Sequence, residues 1–344
     1  MKHTGSRIVS SADFPRANIG TFPTPVETVP EFGTALGVPN LSLKREDHAG
    51  TSYGGNKVRK LEYLLGDALD SGCERVFTSG GVGSHHVLAT ATYARAVGLE
   101  PRALQFPQSP TEHVRENLCA LAGLEPTLQL VPSEYLLPVS LARTRLQTRF
   151  DERCYHIPTG GSSPRGTLGF VDAAAELEQQ VCRGELPEPD VIVLPASSGG
   201  TLAGLRVGLD RTTLGSRLVG VRVVPWFVTN RLTLARLATQ TARLLSGSGR
   251  ERYRRADFEL LTDFLGDGYA EPTAGGQRVS RLAESFGITL DPTYTAKTVW
   301  AISETFDEER VLYWHTLSAS TPEQLPVEQA RKRLPDGYER FLSV

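Results

Sequence analysis

A lysine that follows two glycines is the residue of this sequence best suited to covalent chemistry. Lys57 comes directly after Gly54, Gly55 and Asn56. From Lys57 onward, apolar residues recur every three or four positions, which predicts one buried face of a helix. That face consists of Val58, Leu61, Leu64, Leu65, Ala68 and Leu69. The pair Ser71-Gly72 would then end the helix.

The position of Lys57 at a helix N-terminus predicts a reactive amine. The helix dipole and neighbouring cations disfavour a positive charge there, so the pKa of Lys57 should be lowered. An amine with a lowered pKa can attack an aldehyde and form a Schiff base. The alternative is that Lys57 is one more exposed lysine without a chemical role.

A glycine-rich turn later in the chain is suited to holding a phosphate. Ser198, Gly199, Gly200 and Thr201 follow a continuous apolar run at 191–195 and precede a predicted helix. Backbone N–H groups and hydroxyls at a helix N-terminus bind anions. The turn matches neither the Walker A pattern nor GxGxxG, so a phosphate carried by a cofactor is the better interpretation. A tight turn that binds nothing is the alternative.

Composition and length limit the class of protein. A chain of 344 residues is too long for one small core, which predicts two lobes. The net charge of -2 gives no reason to expect nucleic acid or an anionic membrane as a partner. The four cysteines show no metal-ligand spacing, which is typical of buried thiols in a reducing compartment. Without an apolar run of membrane-spanning length or a signal-peptide pattern, we expect a cytoplasmic protein with no metal site.

Predicted strands and helices alternate along the chain. This order predicts an α/β fold of two lobes, each an open, mostly parallel twisted sheet flanked by helices. Such sheets bind ligands at the carboxyl ends of their strands, so the turns near Gly80, Gly160 and Gly199 should gather on one rim. Ser84 should cap the helix that ends near Val97.

The predicted strands are 41–47, 75–79, 103–106, 127–131, 191–195, 218–224 and 311–316. The predicted helices are 57–69, 84–97, 110–123, 133–148, 166–183, 202 onward, 229–245, 277–286 and 297–306. Ser109 is the predicted cap of the helix at 110–123, 246–255 is a predicted mobile connector, and a polar tail follows 316.

Taken together, these motifs resemble the D-cysteine desulfhydrase and 1-aminocyclopropane-1-carboxylate (ACC) deaminase family, within the tryptophan-synthase-β-like, fold-type II enzymes that use pyridoxal 5'-phosphate. The matching stretches are FPTP (22–25), KRED (44–47), GGNKVRKLE (54–62), GGS (160–162), SGGT (198–201) and LDPTYT (290–295). They cover about residues 20 to 320. The resemblance implies a large cofactor-binding domain formed by 1–52 and 166–344, a small domain at 53–165, and a homodimer.

The resemblance also assigns residues to the cofactor. Lys57 would be bonded to the cofactor, the turn at 198–201 would hold its phosphate, and Tyr294 would lie against its ring. His85 stands where the family has an asparagine that bonds the ring hydroxyl. Thr295 or Thr316 would face the ring nitrogen. The complete set of expected cofactor-binding residues is Asn56, Lys57, His85, Ser198, Gly199, Gly200, Thr201, Tyr294, Thr295 and Thr316.

Four residues besides Lys57 are expected to act in catalysis. Ser84 would bind the substrate carboxylate or transfer a proton, and His86 would act as acid or base or bond a carboxylate. Tyr294 and Tyr269 would act at the ring and at the substrate. The alternatives are a structural pair for His85 and His86, a loop residue for Tyr269 and a core residue for Tyr294. The histidine pair is not expected to bind a metal, because no cysteine or carboxylate stands at ligand spacing from it.

Two departures from the family pattern bear on the reaction. ACC deaminases carry an acid where this chain has Thr295, and a neutral hydroxyl favours β-elimination over opening of a cyclopropane ring. Leu317 replaces a family glycine and would narrow the pocket, so the substrate could differ from D-cysteine. The leading interpretation is a lyase that acts on a small amino acid and releases a keto acid and ammonia. ACC deamination, β-replacement and a catalytically silent cofactor-binding protein are the alternatives.

Overall fold

The computed structural model describes residues 10–148, 153–246, 251–320 and 322–343. Contacts divide the chain into two units. Of the described residues, the first unit comprises those up to Phe14, those in Gly20–Lys60 and those in Ser162–Ala319. The second unit comprises Pro15–Ile19, the described residues in Leu61–Gly161 and those from Ser320 on. The expected domains at 1–52 with 166–344 and at 53–165 stay a prediction.

Within the described ranges, a mostly parallel six-stranded sheet forms the centre of the first unit. In order across the sheet, the strands are β1 (Val26–Thr28), β2 (Leu41–Arg45), β10 (Val311–His315), β7 (Val191–Ala196), β8 (Arg217–Arg222) and β9 (Glu259–Leu261). Only the β1–β2 pair is antiparallel among these described strands. Every residue of β7 and β10 is buried, as expected for strands that are covered on both faces. The helices of this unit are α1 (Pro30–Leu36), α6 (Leu168–Cys182), α7 (Gly200–Leu209), α8 (Arg231–Ser246), α9 (Ala274–Glu284) and α10 (Thr295–Thr305).

The second unit contains, in its described part, a parallel four-stranded sheet. Its strands in order are β5 (Thr127–Leu130), β4 (Glu100–Phe106), β3 (Arg75–Gly81) and β6 (Cys154–His156). The helices are α3 (His85–Ala96), α4 (Glu112–Gly123), α5 (Leu137–Thr148) and α11 (Val327–Arg333). Helix α2 (Lys57–Asp70) begins in the first unit, and its residues from Leu61 on belong to the second.

The predicted fold class, with two open parallel sheets flanked by helices, is confirmed. The helix that starts at Lys57 is also confirmed, and Val58, Leu61, Leu64, Leu65 and Ala68 are buried as expected. Leu69 was expected on the same face but is 42% exposed, because α2 has nearly ended there. No helix in the described part of the chain is long and apolar enough to cross a membrane.

The predicted rim of glycine turns is divided between the two sheets. Gly199 follows β7 in the first unit, whereas Gly80 lies within β3 of the second. Gly80 and Gly81 therefore form the end of a strand rather than the flexible turn that was expected. In the first unit, β7 and β10 are adjacent and parallel, so the turn after Ala196 and the segment after His315 leave the same edge of the sheet. The site begins at this edge.

Candidate functional site

Gly54 and Gly55 allow the backbone before the lysine to lie directly against two other segments. A Cβ on Gly54 would lie 1.9 Å from the carbonyl oxygen of Asp47. Gly55 has a φ of 81°, and a Cβ there would lie 2.7 Å from the carbonyl oxygen of Thr316. The Asn56 N–H donates to that same Thr316 carbonyl at 3.2 Å. The two glycines therefore fix the start of α2 beside the segment that follows β10.

Lys57 is partly buried, and its amine faces the side chain of the preceding residue. The Lys57 Nζ donates a hydrogen bond to Asn56 Oδ1 at 2.7 Å. Burial lowers the pKa of Lys57 to about 8, and the carboxylate of Asp291 acts in the opposite direction. The expected lowering of the pKa is thus found. Burial is the largest cause, and the expectation from the sequence, which named the helix dipole and neighbouring cations, did not include it.

Asn56 connects the lysine to the glycine-rich turn. While its carbonyl oxygen accepts from Lys57, its Nδ2 donates to Thr201 Oγ1 at 3.1 Å. One amide side chain therefore contacts both the reactive amine and the first turn of α7. This contact brings together two predicted groups of residues. One would bind the reactive carbon of a cofactor, and the other would bind its phosphate.

The turn between β7 and α7 presents amides and hydroxyls to a common point. Gly199 has a φ of 82° and is the N-cap of α7, where it offers no side chain to the first amides of the helix. The Gly200 N–H donates to Ser162 Oγ at 3.0 Å, and Ser162 Oγ donates to Ser198 Oγ at 2.8 Å. A Cβ on Gly200 would lie 2.5 Å from Ser162 Oγ, so only glycine leaves room for this hydroxyl.

A second lysine, Lys60, lies at the same turn and was missed from the sequence. Its Nζ donates to Ser162 Oγ at 3.4 Å and would lie 2.9 Å from a Cβ on Gly200. Burial, together with the positive charge of Lys57, lowers the pKa of Lys60 well below its ordinary value. The spacing from Lys57 to Lys60 was a usable signal, because residues three apart share a helix face. Ser162 was visible within a matching stretch but was not predicted as a site residue.

Tyr294 and Tyr269 form a pair through their hydroxyls, which share a hydrogen bond. Their ring centroids lie 6.1 Å apart at an interplanar angle of 61°. Burial, and then the neighbouring Tyr269 hydroxyl, raises the pKa of Tyr294 well above its ordinary value. Tyr294 is therefore a neutral phenol at physiological pH, suited to packing and hydrogen bonding rather than to acting as a base.

Asp291 is a buried carboxylate that positions the segment containing Tyr294. It accepts hydrogen bonds from the backbone N–H groups of Tyr294 and Thr295, at 2.7 and 3.2 Å. An aspartate followed by Pro-Thr is typical of a turn in which the carboxylate accepts from N–H groups two or three residues on, and this signal could have identified Asp291. Because its charge also acts on the pKa of Lys57, Asp291 belongs to the electrostatic surroundings of the site.

Thr295 and Thr316 differ in what their hydroxyls contact. Thr295 is fully buried, and its Oγ1 donates to Asp291 Oδ2 at 2.7 Å and accepts from the Asp291 N–H at 2.6 Å. Thr316 is partly buried, and within the described residues its hydroxyl makes no hydrogen bond. Of the two threonines predicted to face the ring nitrogen, Thr316 therefore keeps a hydroxyl for a ligand, whereas the Thr295 hydroxyl bonds within the protein.

Ser84 and His86 lie at the start of α3 in the second unit. The predicted cap is confirmed, because Ser84 Oγ accepts from the Val87 N–H at 3.4 Å. His86 is buried, with its Nε2 at 2.8 Å from Thr78 Oγ1. Thr78 donates its own proton to the Ile157 carbonyl at 2.9 Å, so the Nε2 of His86 is the donor in this contact. The ring has a structural contact, and its catalytic role stays a prediction.

His85 packs against another histidine of the second unit. The ring centroids of His85 and His113 lie 4.4 Å apart at an interplanar angle of 40°. Asn117 Nδ2 lies 3.2 Å from His113 Nε2. The role of His85 at a cofactor hydroxyl stays a prediction. In the described part of the chain, no group of three or more His, Cys, Asp or Glu residues is placed to hold a metal ion.

The donors of the first unit fit pyridoxal phosphate. The aldehyde requires an amine that is partly unprotonated, and Lys57 has one. The phosphate requires hydrogen-bond donors and positive potential, which the α7 N-terminus, Ser162, Ser198 and Lys60 present around Gly200. The Asn56 side chain joins the two groups. The residues present therefore suit both ends of the cofactor.

Comparisons with known proteins agree with this chemistry. A family model described as pyridoxal-phosphate dependent enzyme matches residues 18–316. A D-cysteine desulfhydrase of Klebsiella pneumoniae is 34% identical over 318 residues, which cover 88% of this chain and 94% of the relative. The structure of an ACC deaminase homologue has a TM-score of 0.76 at 29% identity, covering 97% of this chain and 100% of the other. Threonine deaminase isoform 2 from Solanum lycopersicum, with a TM-score of 0.60 at 14% identity over 94% of this chain and 85% of the other, shares the fold.

Proposed function

This chain belongs to the pyridoxal-phosphate-dependent enzyme family, and from that premise we propose that it is a lyase acting on a small, D-cysteine-like amino acid. The reaction is an α,β-elimination: the α-proton and the β-substituent leave, and the product hydrolyses to a keto acid and ammonia. The observation that carries the proposal is the Asn56 side chain, which contacts both Lys57 and Thr201. It joins the reactive amine to the phosphate-binding turn.

Lys57 has two tasks in this proposal. When bound, pyridoxal phosphate withdraws electrons from the α-carbon of the amino acid attached to it. The Lys57 Nζ holds the cofactor through its aldehyde carbon. When the amine is not bonded to the cofactor it has a pKa of about 8, and it could then accept and return a proton near neutral pH. Asn56 orients the amine by accepting its hydrogen bond.

The turn at 198–201 holds the phosphate in this proposal. Ser198, Thr201 and Ser162 supply hydroxyls, and the first amides of α7 point toward the anion. Lys60 adds a nearby amine whose charged form a phosphate would favour. Binding of the phosphate at this turn would fix the end of the cofactor that lies away from Lys57.

A neutral threonine at the ring nitrogen favours elimination. We assign the ring-nitrogen contact to Thr316, because the Thr295 hydroxyl bonds Asp291. A hydroxyl supplies no negative charge to keep the ring nitrogen protonated. The cofactor ring would therefore withdraw electrons from the α-carbon of the substrate more weakly than it would beside a carboxylate. Loss of a good β leaving group needs less withdrawal than opening of a cyclopropane. This argues for a cysteine-like substrate over ACC, although the structural relative is named an ACC deaminase homologue.

The remaining predicted residues are assigned to the substrate side. Ser84 and the amides at the start of α3 bind the substrate carboxylate. His86 transfers a proton or bonds the carboxylate, and His85 bonds the ring hydroxyl. Tyr294 packs on the ring, and Tyr269 holds the Tyr294 hydroxyl in place. Leu317 replaces a small residue and favours a compact β-substituent. We further propose a homodimer that works in the cytoplasm, on the family pattern.

An amino-acid panel tests this function. Cofactor-loaded protein is mixed with D-cysteine, L-cysteine, β-chloroalanine or ACC, and keto acid and ammonia are measured together. We expect equimolar keto acid and ammonia from a cysteine-like substrate and little from ACC. Lys57→Ala should abolish product, while Lys332→Ala, a change at an exposed lysine, should not.

Two outcomes would contradict the proposal. Faster release of keto acid from ACC than from any cysteine-like compound would identify an ACC deaminase. A protein that binds the cofactor but yields no keto acid from any of the four compounds would be a catalytically silent cofactor-binding protein.

A further inference from the structure

A cavity in the first unit is lined by arginines and by no acidic residue of the described chain. It has a volume of about 610 Å³ and lies between α8 and the segment at 252–255. Arg236, Arg243, Arg252, Arg254 and Arg255 line it, and the other lining residues are uncharged. Arg236 and Arg243 lie two helical turns apart on α8 and so share one face of that helix.

These five arginines have no ionic partner among the described residues. A neighbouring cavity of about 780 Å³ provides the contrast. There, Arg206 pairs with Asp210, and Arg211 pairs with Glu251 at 2.9 Å. Between Asp210 and Glu251 the sequence contains no Asp or Glu at all. Arg252 lines both cavities, and the other four arginines line only the first. In the neighbouring cavity, Arg206 and Arg211 are therefore paired with carboxylates, whereas none of the five arginines of the first cavity makes an ion pair among the described residues.

A hydrogen bond joins the two walls of the cavity that the five arginines line. The Tyr253 N–H donates to Thr239 Oγ1 of α8 at 2.9 Å, which holds the 252–255 segment against the helix. The Tyr253 side chain is also bonded to Asp210. Five like charges held around one concave surface repel one another, and an anion that binds among them removes this repulsion.

We propose that this cavity binds a small oligophosphate, a ligand with at least two linked phosphate groups. Guanidinium groups match phosphate oxygens in pairs of parallel hydrogen bonds, and several guanidinium groups can share one chain of phosphates. The volume falls in the range of small-molecule sites. Inorganic oligophosphate and the triphosphate of a nucleotide share this chemistry. A concave pocket on a chain with a net charge of -2 favours either of them over a nucleic acid.

This site is separate from the proposed cofactor site in its residues. The turn at 198–201 and Lys57 contribute nothing to its lining. The proposal therefore holds or fails independently of the lyase activity, and the protein can be tested with its cofactor in place.

Calorimetric titration of the cofactor-loaded protein tests the proposal. Tripolyphosphate, adenosine triphosphate and orthophosphate are titrated separately at 0.15 M salt. We expect saturable binding of tripolyphosphate, at least ~10-fold tighter than orthophosphate, since more guanidinium contacts form. Tighter binding of adenosine triphosphate than of tripolyphosphate would identify a nucleotide as the ligand, and equal affinity would identify the phosphate chain alone.

Paired variants locate the binding. Arg236→Gln with Arg243→Gln should weaken tripolyphosphate binding at least ~10-fold, because two contacts are lost. The control, Arg206→Gln with Arg211→Gln in the neighbouring cavity, should bind as the wild type does. Cofactor absorbance and the unfolding temperature confirm that both variants fold. Unchanged affinity in R236Q/R243Q, absence of saturable binding in the wild type, or tighter binding of an RNA oligomer than of tripolyphosphate would overturn the proposal.

Discussion

At the scale of single residues, burial sets the reactivity of the amine at the start of α2. Lys57 is polar, partly buried and bonded to Asn56, and its pKa is lowered to about 8 by desolvation. At pH 7, an amine with that pKa is neutral in about one molecule in ten, compared with about one in three thousand for an ordinary lysine. This difference is what makes the residue a usable nucleophile.

The lowered pKa predicts how cofactor binding depends on pH. Only the neutral amine attacks the aldehyde, so the rate of cofactor uptake by the cofactor-free protein should rise about tenfold per pH unit below pH 8 and level off above it. Stopped-flow absorbance from pH 6 to pH 10 measures this rate, with Lys57→Ala as the control that should show no covalent uptake. A rate that continues to rise steeply beyond pH 9 would contradict the lowered pKa.

The two threonines provide a second test at this scale. Thr295→Val removes a buried hydrogen bond to Asp291 and should lower the free energy of unfolding by about 1–3 kcal/mol while the absorption spectrum of the cofactor stays unchanged. Thr316→Val should do the reverse, shifting the spectrum and the turnover number with little loss of stability. Thermal unfolding and visible spectra of both variants measure this. A changed spectrum in Thr295→Val alone would reverse the assignment.

The sequence predicted those parts of the site that local patterns identify. Lys57 and the turn around Gly199 stand in short motifs whose chemistry can be read from neighbouring residues. Ser162 and Asp291 were missed as site residues, since their roles depend on tertiary contacts. Ser162 reaches Gly200 across 38 residues of chain, and no local pattern predicts that pairing.

At the scale of elements, the start of α2 is held by a cluster of buried charges. Arg59 Nε bonds Glu46 at 2.8 Å, and Arg59 Nη2 bonds Glu176 at 2.9 Å. Lys44 completes the cluster at 2.6 Å from Glu176. The charges of the two cations and the two carboxylates cancel, which allows the cluster to be buried. Since Arg59 is two residues from Lys57, the cluster also fixes the position of the reactive amine.

Breaking this cluster should be costly. Arg59→Met leaves two buried carboxylates facing one lysine and should reduce the free energy of unfolding by about 3–5 kcal/mol. Arg115→Met, which removes a surface pair with Glu112, should leave stability nearly unchanged. Urea unfolding of the two variants measures both effects. A reduction for Arg59→Met no larger than that for Arg115→Met would show that the cluster does not stabilise the fold.

Long elements were predictable and short ones were not. The continuous apolar run of β7 identified a doubly covered strand, whereas β9, with three residues, carries too little pattern. Helices α1 and α11, each of seven residues, were missed for the same reason. The cap of α4 was predicted at Ser109 but is Thr111, whose Oγ1 accepts from the Val114 N–H at 3.3 Å. Thr111 was predicted within the helix, which begins after it.

At the scale of the whole molecule, alternating strands and helices were enough to predict two parallel sheets, but not where the end of the chain lies. The segment after 316 was predicted as a polar tail. In the structure, Tyr338 and Phe341 of this segment are buried, and the Tyr338 hydroxyl donates to Gln105 Oε1 at 3.0 Å. A few apolar residues spaced among polar ones were enough to anchor the segment in the second unit, and composition alone could not reveal that.

The proposed function depends on one covalent bond between Lys57 and the cofactor, and the location of that bond can be measured directly. Borohydride reduction of the cofactor-loaded protein makes the bond between lysine and cofactor permanent, and peptide mass spectrometry then identifies the modified residue. We predict that the label is on Lys57 and not on Lys60, although burial lowers the pKa of both. A label on Lys60 or on any other lysine would contradict the account.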